Sequence, residues 1–147
     1  MPPLKPSGDI GWVLSDGKRA TMDDYRDKIL VLDFYATWCA PCRQSIPRLN
    51  ALHDKYGPRG VSLVGLNVGG ADDRIKVADF ARELGIKYPL GFPDQALTDL
   101  CLSDDQTIPQ TFVFDREGRL VKRLIGYDET TETELEKTLS ERVEGKR

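Results

Sequence analysis

Two cysteines, Cys39 and Cys42, stand between an apolar run, Lys28-Ile29-Leu30-Val31-Leu32-Asp33-Phe34-Tyr35, and a stretch with Ile46, Leu49, Leu52 and Tyr56 at helical spacing. The run reads as a strand buried on both faces, the kind that belongs to a parallel sheet. The helix ends at Gly57-Pro58, because glycine and proline both disfavour continuation. A thiol pair at a strand-to-helix junction constrains the chain to an α/β architecture built around that junction.

A C-x-x-C pair has two common uses, half a zinc site or a redox couple. Zinc needs four ligands, and the further candidates are Cys101 and the single histidine, His53. His53 follows Cys42 by eleven residues in one helix, which separates them by roughly 16 Å. That is too far to share a metal, so no metal site is expected. Three cysteines also leave one without an intramolecular partner, so no closed disulfide framework forms.

The junction has its own chemistry. Unpaired N–H groups and the positive end of the helix dipole point at Cys39 and favour its thiolate, the species that attacks a disulfide. Pro41 is tolerated because the first helical turn needs no N–H from it. Cys42 lies one turn on, where its sulfur can reach Cys39 and resolve a mixed disulfide. Trp38 supplies an apolar wall beside the pair. Asp33, inside an apolar strand, is expected to have a raised pKa because burial disfavours its charge. It could then take the Cys42 proton through a water.

The rest of the chain reads as alternating elements. Gly11-Trp12-Val13-Leu14 and Arg19-Ala20-Thr21 flank an Asp16-Gly17 turn and form a hairpin. Val61 to Val68 is a second apolar strand. Asp72 or Asp73 is expected to cap one helix carrying Val77, Phe80, Ala81 and Leu84, stopped by Gly85. Tyr88 to Asp94 reads as a connecting loop, and Gln95 to Leu102 as a short helix in which Cys101 is a small apolar residue. Thr111 to Asp115 and Leu120 to Ile125 form a second hairpin. The last helix is expected to open at a capping box over Thr131 to Glu134 and to present Leu135, Leu139 and Val143 on one face. Trp12 is expected to pack the first hairpin onto the sheet, and His53 to lie on a helix surface.

These elements predict a central mixed sheet with helices on both faces. The 147 residues suit one domain, 1–147, with a core of about 28–143 and the N-terminal hairpin at about 9–27. An apolar fraction of 39% against 31% charged excludes a disordered chain. A net charge of −3, with both signs interspersed, gives no footprint for nucleic acid or an anionic membrane. The longest apolar run, Ile29 to Leu32, is far short of the ~20 residues of a membrane span. Residues 1–8 contain no apolar leader segment.

The segment Phe34-Tyr35-Ala36-Thr37-Trp38-Cys39-Ala40-Pro41-Cys42-Arg43 resembles the active-site segment of the thioredoxin superfamily. Pro47 after the pair, the N-terminal hairpin and the insertion before Thr107-Ile108-Pro109 are similar to the TlpA/ResA branch. The resemblance covers roughly residues 9 to 143. It implies a thioredoxin fold, thiol–disulfide exchange with protein disulfide or dithiol substrates, an upstream thiol reductant, no cofactor, a monomer and a periplasmic or other extracytoplasmic setting. It places a cis-proline at Pro109, facing the pair, with Ile108 free to pair with a substrate strand. It also places Asp33 at the position of thioredoxin's buried acid. Catalysis is thus assigned to Cys39, Cys42 and Asp33, and substrate binding to Trp38, Pro41, Ile108 and Pro109.

Two departures stand out. Gly65 takes the place of thioredoxin's buried lysine, and glycines occupy the Asn67-Val68-Gly69-Gly70 segment where several TlpA/ResA proteins carry glutamate. The alternative reading is a copper(I) chaperone of the same fold, which would want a further histidine. A thiol peroxidase would need a threonine three residues before its cysteine, and Thr37 is two before Cys39.

Overall fold

A computed structural model describes residues 4–145, so residues 1–3 of the N-terminal stretch read above for a leader lie outside the described residues. Seven strands form one sheet: β1 Gly11–Leu14, β2 Arg19–Thr21, β3 Ile29–Tyr35, β4 Val61–Asn67, β5 Leu90–Pro93, β6 Gln110–Phe114 and β7 Leu120–Ile125. Their order is β2-β1-β5-β4-β3-β6-β7, with β3 and β4 parallel and β6 antiparallel to β3. The helices are α1 Ala40–Tyr56, α2 Ala71–Arg74, α3 Val77–Leu84, α4 Gln95–Leu102 and α5 Glu129–Val143.

Strand alternation sorts the core into two layers. Leu30, Leu32 and Phe34 of β3 face one side, with Trp12, Leu66, Leu97, Cys101 and Phe112. Ile29, Val31 and Tyr35 face the other, against Ile46, Leu49 and Leu52 of α1, Phe80 of α3, and Leu135 and Leu139 of α5. Every residue of β3 is buried, Asp33 included, in keeping with a strand covered on both faces. Trp12 is fully buried and ties the first hairpin to the layer of Leu30, Leu32 and Phe34.

Four readings are corrected. The stretch from Tyr88 to Asp94 is not a loop throughout: Leu90–Pro93 is β5, pairing with both β1 and β4. Gly91 and Pro93 hide it, since neither residue favours a strand, and main-chain pairing on both sides outweighs that preference. The expected single helix after Gly70 is split into α2 and α3, and neither Asp72 nor Asp73 caps it; Gly70 is the residue before α2. The α5 capping box sits three residues earlier than read, between Asp128 and Thr131, whose side chains each accept the other's backbone N–H at 2.8 and 2.9 Å. Aspartate outranks threonine as an N-cap. His53 is half-buried against Tyr88, ring centroids 6.4 Å apart, rather than on an outward surface.

Candidate active site

Cys39 is the N-cap of α1 and Cys42 lies in its first turn. The two are disulfide-bonded, with Cα atoms 5.2 Å apart. Cys39 Sγ accepts the Cys42 backbone N–H at 3.2 Å, one of the donors that a helix start leaves unpaired. Pro41 falls within that first turn, where it removes no helical bond. Cys42 and Cys39 are 1% and 6% exposed, whereas Trp38 beside them is 67% exposed.

β6 brings the second loop to the sulfurs. The Ile108–Pro109 bond is cis, and the Ile108 carbonyl oxygen lies 3.7 Å from Cys39 Sγ. Among the described residues neither the N–H nor the C=O of Ile108 enters a backbone hydrogen bond, while Pro109 C=O accepts from Gly126 N–H at 2.8 Å. A groove of about 380 Å³ runs beside this point, with Trp38, Val68, Leu102 and Ile108 among its walls.

Asp33 sits on β3 between Gly65 and Thr111 and is 3% exposed. Burial raises its carboxyl to about 8, with the Thr111 hydroxyl pulling it part-way back. Position 65 offers no cation and is crowded. A Cβ on Gly65 would come within 2.7 Å of Leu90 Cδ2 and 3.2 Å of Tyr88 Cε1, so those side chains fill the space a lysine stem would need. Asp33 instead borders a cavity of about 20 Å³ shared with Ser45, Pro109 and Thr111, a volume that suits one water. Ser45 Oγ donates to the Cys42 carbonyl at 2.8 Å from the same cavity.

The sequence reading missed a buried carboxylate. Asp73 of α2, 3% exposed, accepts from Thr37 N–H at 2.9 Å, from Thr37 Oγ1, and from Asn67 Nδ2 at 2.9 Å. Burial works to raise its pKa, but these hydrogen bonds and Lys76 prevail and hold it below the usual carboxylate range. A Cβ on Gly69 would collide with this carboxylate, which accounts for one of the glycines of that segment. Thr37 and Arg43 are therefore engaged away from Cys39. Thr37 Oγ1 bonds Asp73, and Arg43 Nη1 donates to the Thr37 carbonyl at 3.0 Å with its guanidinium over Phe80. Neither is placed as a peroxidase would place a threonine and an arginine on the attacking sulfur. Cys101 is buried in α4, and burial pushes its thiol up to about 12 despite the opposing charge of Arg123. Among the described residues no three His, Cys, Asp or Glu side chains gather as metal ligands, so the copper(I) alternative has no third ligand of these types.

The AhpC/TSA family matches residues 9–123. The chain belongs to that family. It is similar to the thiol–disulfide oxidoreductase ResA of Bacillus thuringiensis, 31% identical over 121 residues, covering 82% of this chain and 67% of the relative. Against ResA of Geobacillus thermodenitrificans it is 34% identical over 119 residues, with 78% and 66% covered. The chain thus spans about two thirds of these relatives' length. In fold it resembles a thioredoxin-family thiol:disulfide interchange protein of Chlorobium tepidum, at a TM-score of 0.79, 24% identity and 97% coverage of both chains. StoA of Bacillus subtilis superposes with a TM-score of 0.69 at 22% identity, over 86% of this chain and 92% of StoA. With its Cys39–Cys42 pair, this chain is a thioredoxin-fold thiol–disulfide oxidoreductase of the ResA type acting on protein thiols. No helix among the described residues is long and apolar enough to cross a membrane.

Proposed function

We propose that the protein works as a reductant of protein disulfides, with Cys39 as nucleophile, Cys42 as resolving thiol and Asp33 as the base for resolution. The Cys39 thiolate attacks one sulfur of the substrate disulfide, the substrate S–S bond breaks, and the second substrate sulfur leaves as a thiolate and takes a proton. Cys42 passes its proton to Asp33 and attacks Cys39 Sγ; a water in the cavity that Asp33 borders with Ser45, whose hydroxyl bonds the Cys42 carbonyl, would carry the proton. The Cys39–Cys42 bond forms as the mixed disulfide breaks. The substrate gains two electrons, the pair loses two, and an upstream thiol reductant restores the dithiol.

The observation that carries the reducing direction is the surroundings of Cys39 Sγ. One backbone N–H favours its thiolate, while the Ile108 carbonyl oxygen at 3.7 Å works against it. A weakly stabilised thiolate leaves the disulfide form relatively favoured, which makes the dithiol a good electron donor. Trp38, Pro41, Ile108 and Pro109 form the docking surface, and the unpaired Ile108 main chain pairs with an extended substrate segment. Kinship with ResA supports an extracytoplasmic setting, and the reading takes the protein as a monomer.

Equilibration against glutathione tests the direction. The expected reduction potential is about −250 mV or lower, and a value above about −150 mV would make the protein an oxidant.

A further inference from the structure

The side chain of Gln110 is fully buried at the first position of β6, in a strand whose other side chains are mainly apolar. Its amide makes bonds in only two directions. Nε2 donates to the carbonyls of Asp105 and Thr107 at 2.6 and 2.8 Å. Oε1 accepts from Arg123 Nε at 2.9 Å. Arginine can only donate, so it fixes which end of the amide faces the loop. Arg123 is held in turn. Its two terminal nitrogens bond both oxygens of Asp104 at 2.9 and 3.0 Å and the Cys101 carbonyl at 3.3 Å, and its guanidinium lies over Phe112 at 5.3 Å.

All of these bonds converge on the chain that leads from α4 to Ile108. That segment provides Leu102 and Ile108 to the groove opposite Trp38, and it delivers the Ile108 carbonyl to 3.7 Å from Cys39 Sγ. β6 itself does not need the amide, since its register with β3 and β7 is made by main chain. A leucine or methionine at position 110 would fill the same buried space.

We infer that Gln110, oriented by Arg123, is a positioning residue that sets the substrate-docking edge at Ile108 and so governs affinity for protein disulfides. The inference rests on the reading of Ile108–Pro109 as the docking edge. An extended peptide is bound by hydrogen bonds whose donor and acceptor must be in place before it arrives, and an edge ordered in advance loses less entropy on binding. Without Gln110 the carbonyls of Asp105 and Thr107 lose a buried amide as partner, and this part-exposed segment relaxes toward water. A small disulfide reagent makes no main-chain pairing, so it does not sense the change.

The test uses Gln110→Met, which fills the space without polar atoms, Gln110→Glu, which keeps the acceptor for Arg123 and loses both donors, and Arg123→Lys. Steady-state reduction of insulin is compared with reduction of 5,5′-dithiobis(2-nitrobenzoate), alongside the reduction potential and amide hydrogen exchange over residues 104–108. Both Gln110 variants are expected to raise KM for insulin about tenfold and to speed exchange in the segment by a similar factor, as loss of two part-buried hydrogen bonds implies. kcat, the small-disulfide rate and the potential are expected to stay within about twofold. Arg123→Lys falls between, because lysine can replace one of the bonds. An unchanged KM in a folded variant, or insulin and small-disulfide rates that fall together, overturns the inference. Should the wild-type protein leave insulin intact, the functional reading fails instead, and unchanged exchange over residues 104–108 in the Gln110 variants then separately overturns the positioning role of Gln110.

Discussion

The Asp73 carboxylate accepts the Thr37 backbone N–H at 2.9 Å, tying α2 to the residue two before Cys39 across a gap of 36 in sequence. With Asn67 Nδ2 on the same oxygen, this one buried group joins the ends of β3 and β4 to the loop that leads into the redox pair. Removing it leaves a main-chain N–H and an amide without partners. Asp73→Ala is expected to lower stability by about 2–4 kcal/mol, and Thr37→Val by about 1 kcal/mol, since the N–H bond survives in the second. Urea unfolding of the oxidised proteins measures both. Because the Asp73 carboxyl is held low in the fold, its contribution is present above the unfolded-state pKa and lost as pH falls through the folded value. The wild-type advantage over Asp73→Ala should therefore shrink on acidification, and an equal urea midpoint for the two proteins would remove the tether from the account.

Reactivity should separate the three thiols of the reduced protein. Cys39 stands at the helix start, Cys42 is 1% exposed, and the Cys101 thiol is buried and pushed up to about 12. Brief alkylation with iodoacetamide at neutral pH, read by peptide mass spectrometry, is expected to label Cys39 first and Cys101 last. Labelling that begins at Cys42 or Cys101 would reverse the roles.

Trapping checks the order of attack. Cys42→Ser is expected to accumulate a mixed disulfide through Cys39, because the first attack proceeds and the second cannot. Cys101→Ser should retain wild-type insulin reduction to within about twofold, as its sulfur takes no part, although a buried hydroxyl costs some stability. A folded Cys101→Ser protein as inactive as Cys39→Ser would show that Cys101 is no bystander.

The redox pair and its setting were readable because they depend on neighbours in sequence. A buried strand, two cysteines three residues apart at the turn and a helix-compatible proline between them need no tertiary information. β3, β4, α1 and the two hairpins follow from period and turn chemistry in the same way. What escaped was set by distant partners. β5 exists because β1 and β4 offer main chain on both sides of Leu90–Pro93, which overrides Gly91 and Pro93. Asp73 looks like a cap from its neighbours and becomes a tether only when the β3–α1 loop lies above it. Gln110 has its partners, Asp105, Thr107 and Arg123, outside its own strand, and its one local signal is a glutamine opening an apolar strand. Asp33 was legible from one fact, its place inside an apolar strand, and its burial follows.

Asp33 offers a check that joins stability to chemistry. Its carboxyl sits near 8 in the fold against about 3.9 in an unfolded chain. Below the unfolded value both states hold the proton and burial of the neutral acid carries no linkage cost. Between the two values the unfolded chain releases the proton and the folded one retains it, so stability falls as pH rises from about 4 to about 8 and then levels. Asp33→Asn has no such proton, and oxidised Asp33→Asn is expected to exceed the oxidised wild type in stability by a margin that grows over this window to a few kcal/mol, one pKa unit being worth about 1.4 kcal/mol. The catalytic consequence runs the other way. Resolution by Cys42 needs the ionised base, so the wild-type rate of mixed-disulfide resolution should climb with pH through an inflection near 8, and Asp33→Asn should lose that inflection and slow by about tenfold or more at neutral pH. Stopped-flow reduction of a mixed disulfide across pH 5 to 9, paired with urea unfolding at the same pH values, reads both. If Asp33→Asn gains stability yet keeps the wild-type pH–rate profile, Asp33 is a buried acid without a catalytic part, and the Cys42 proton leaves by another route.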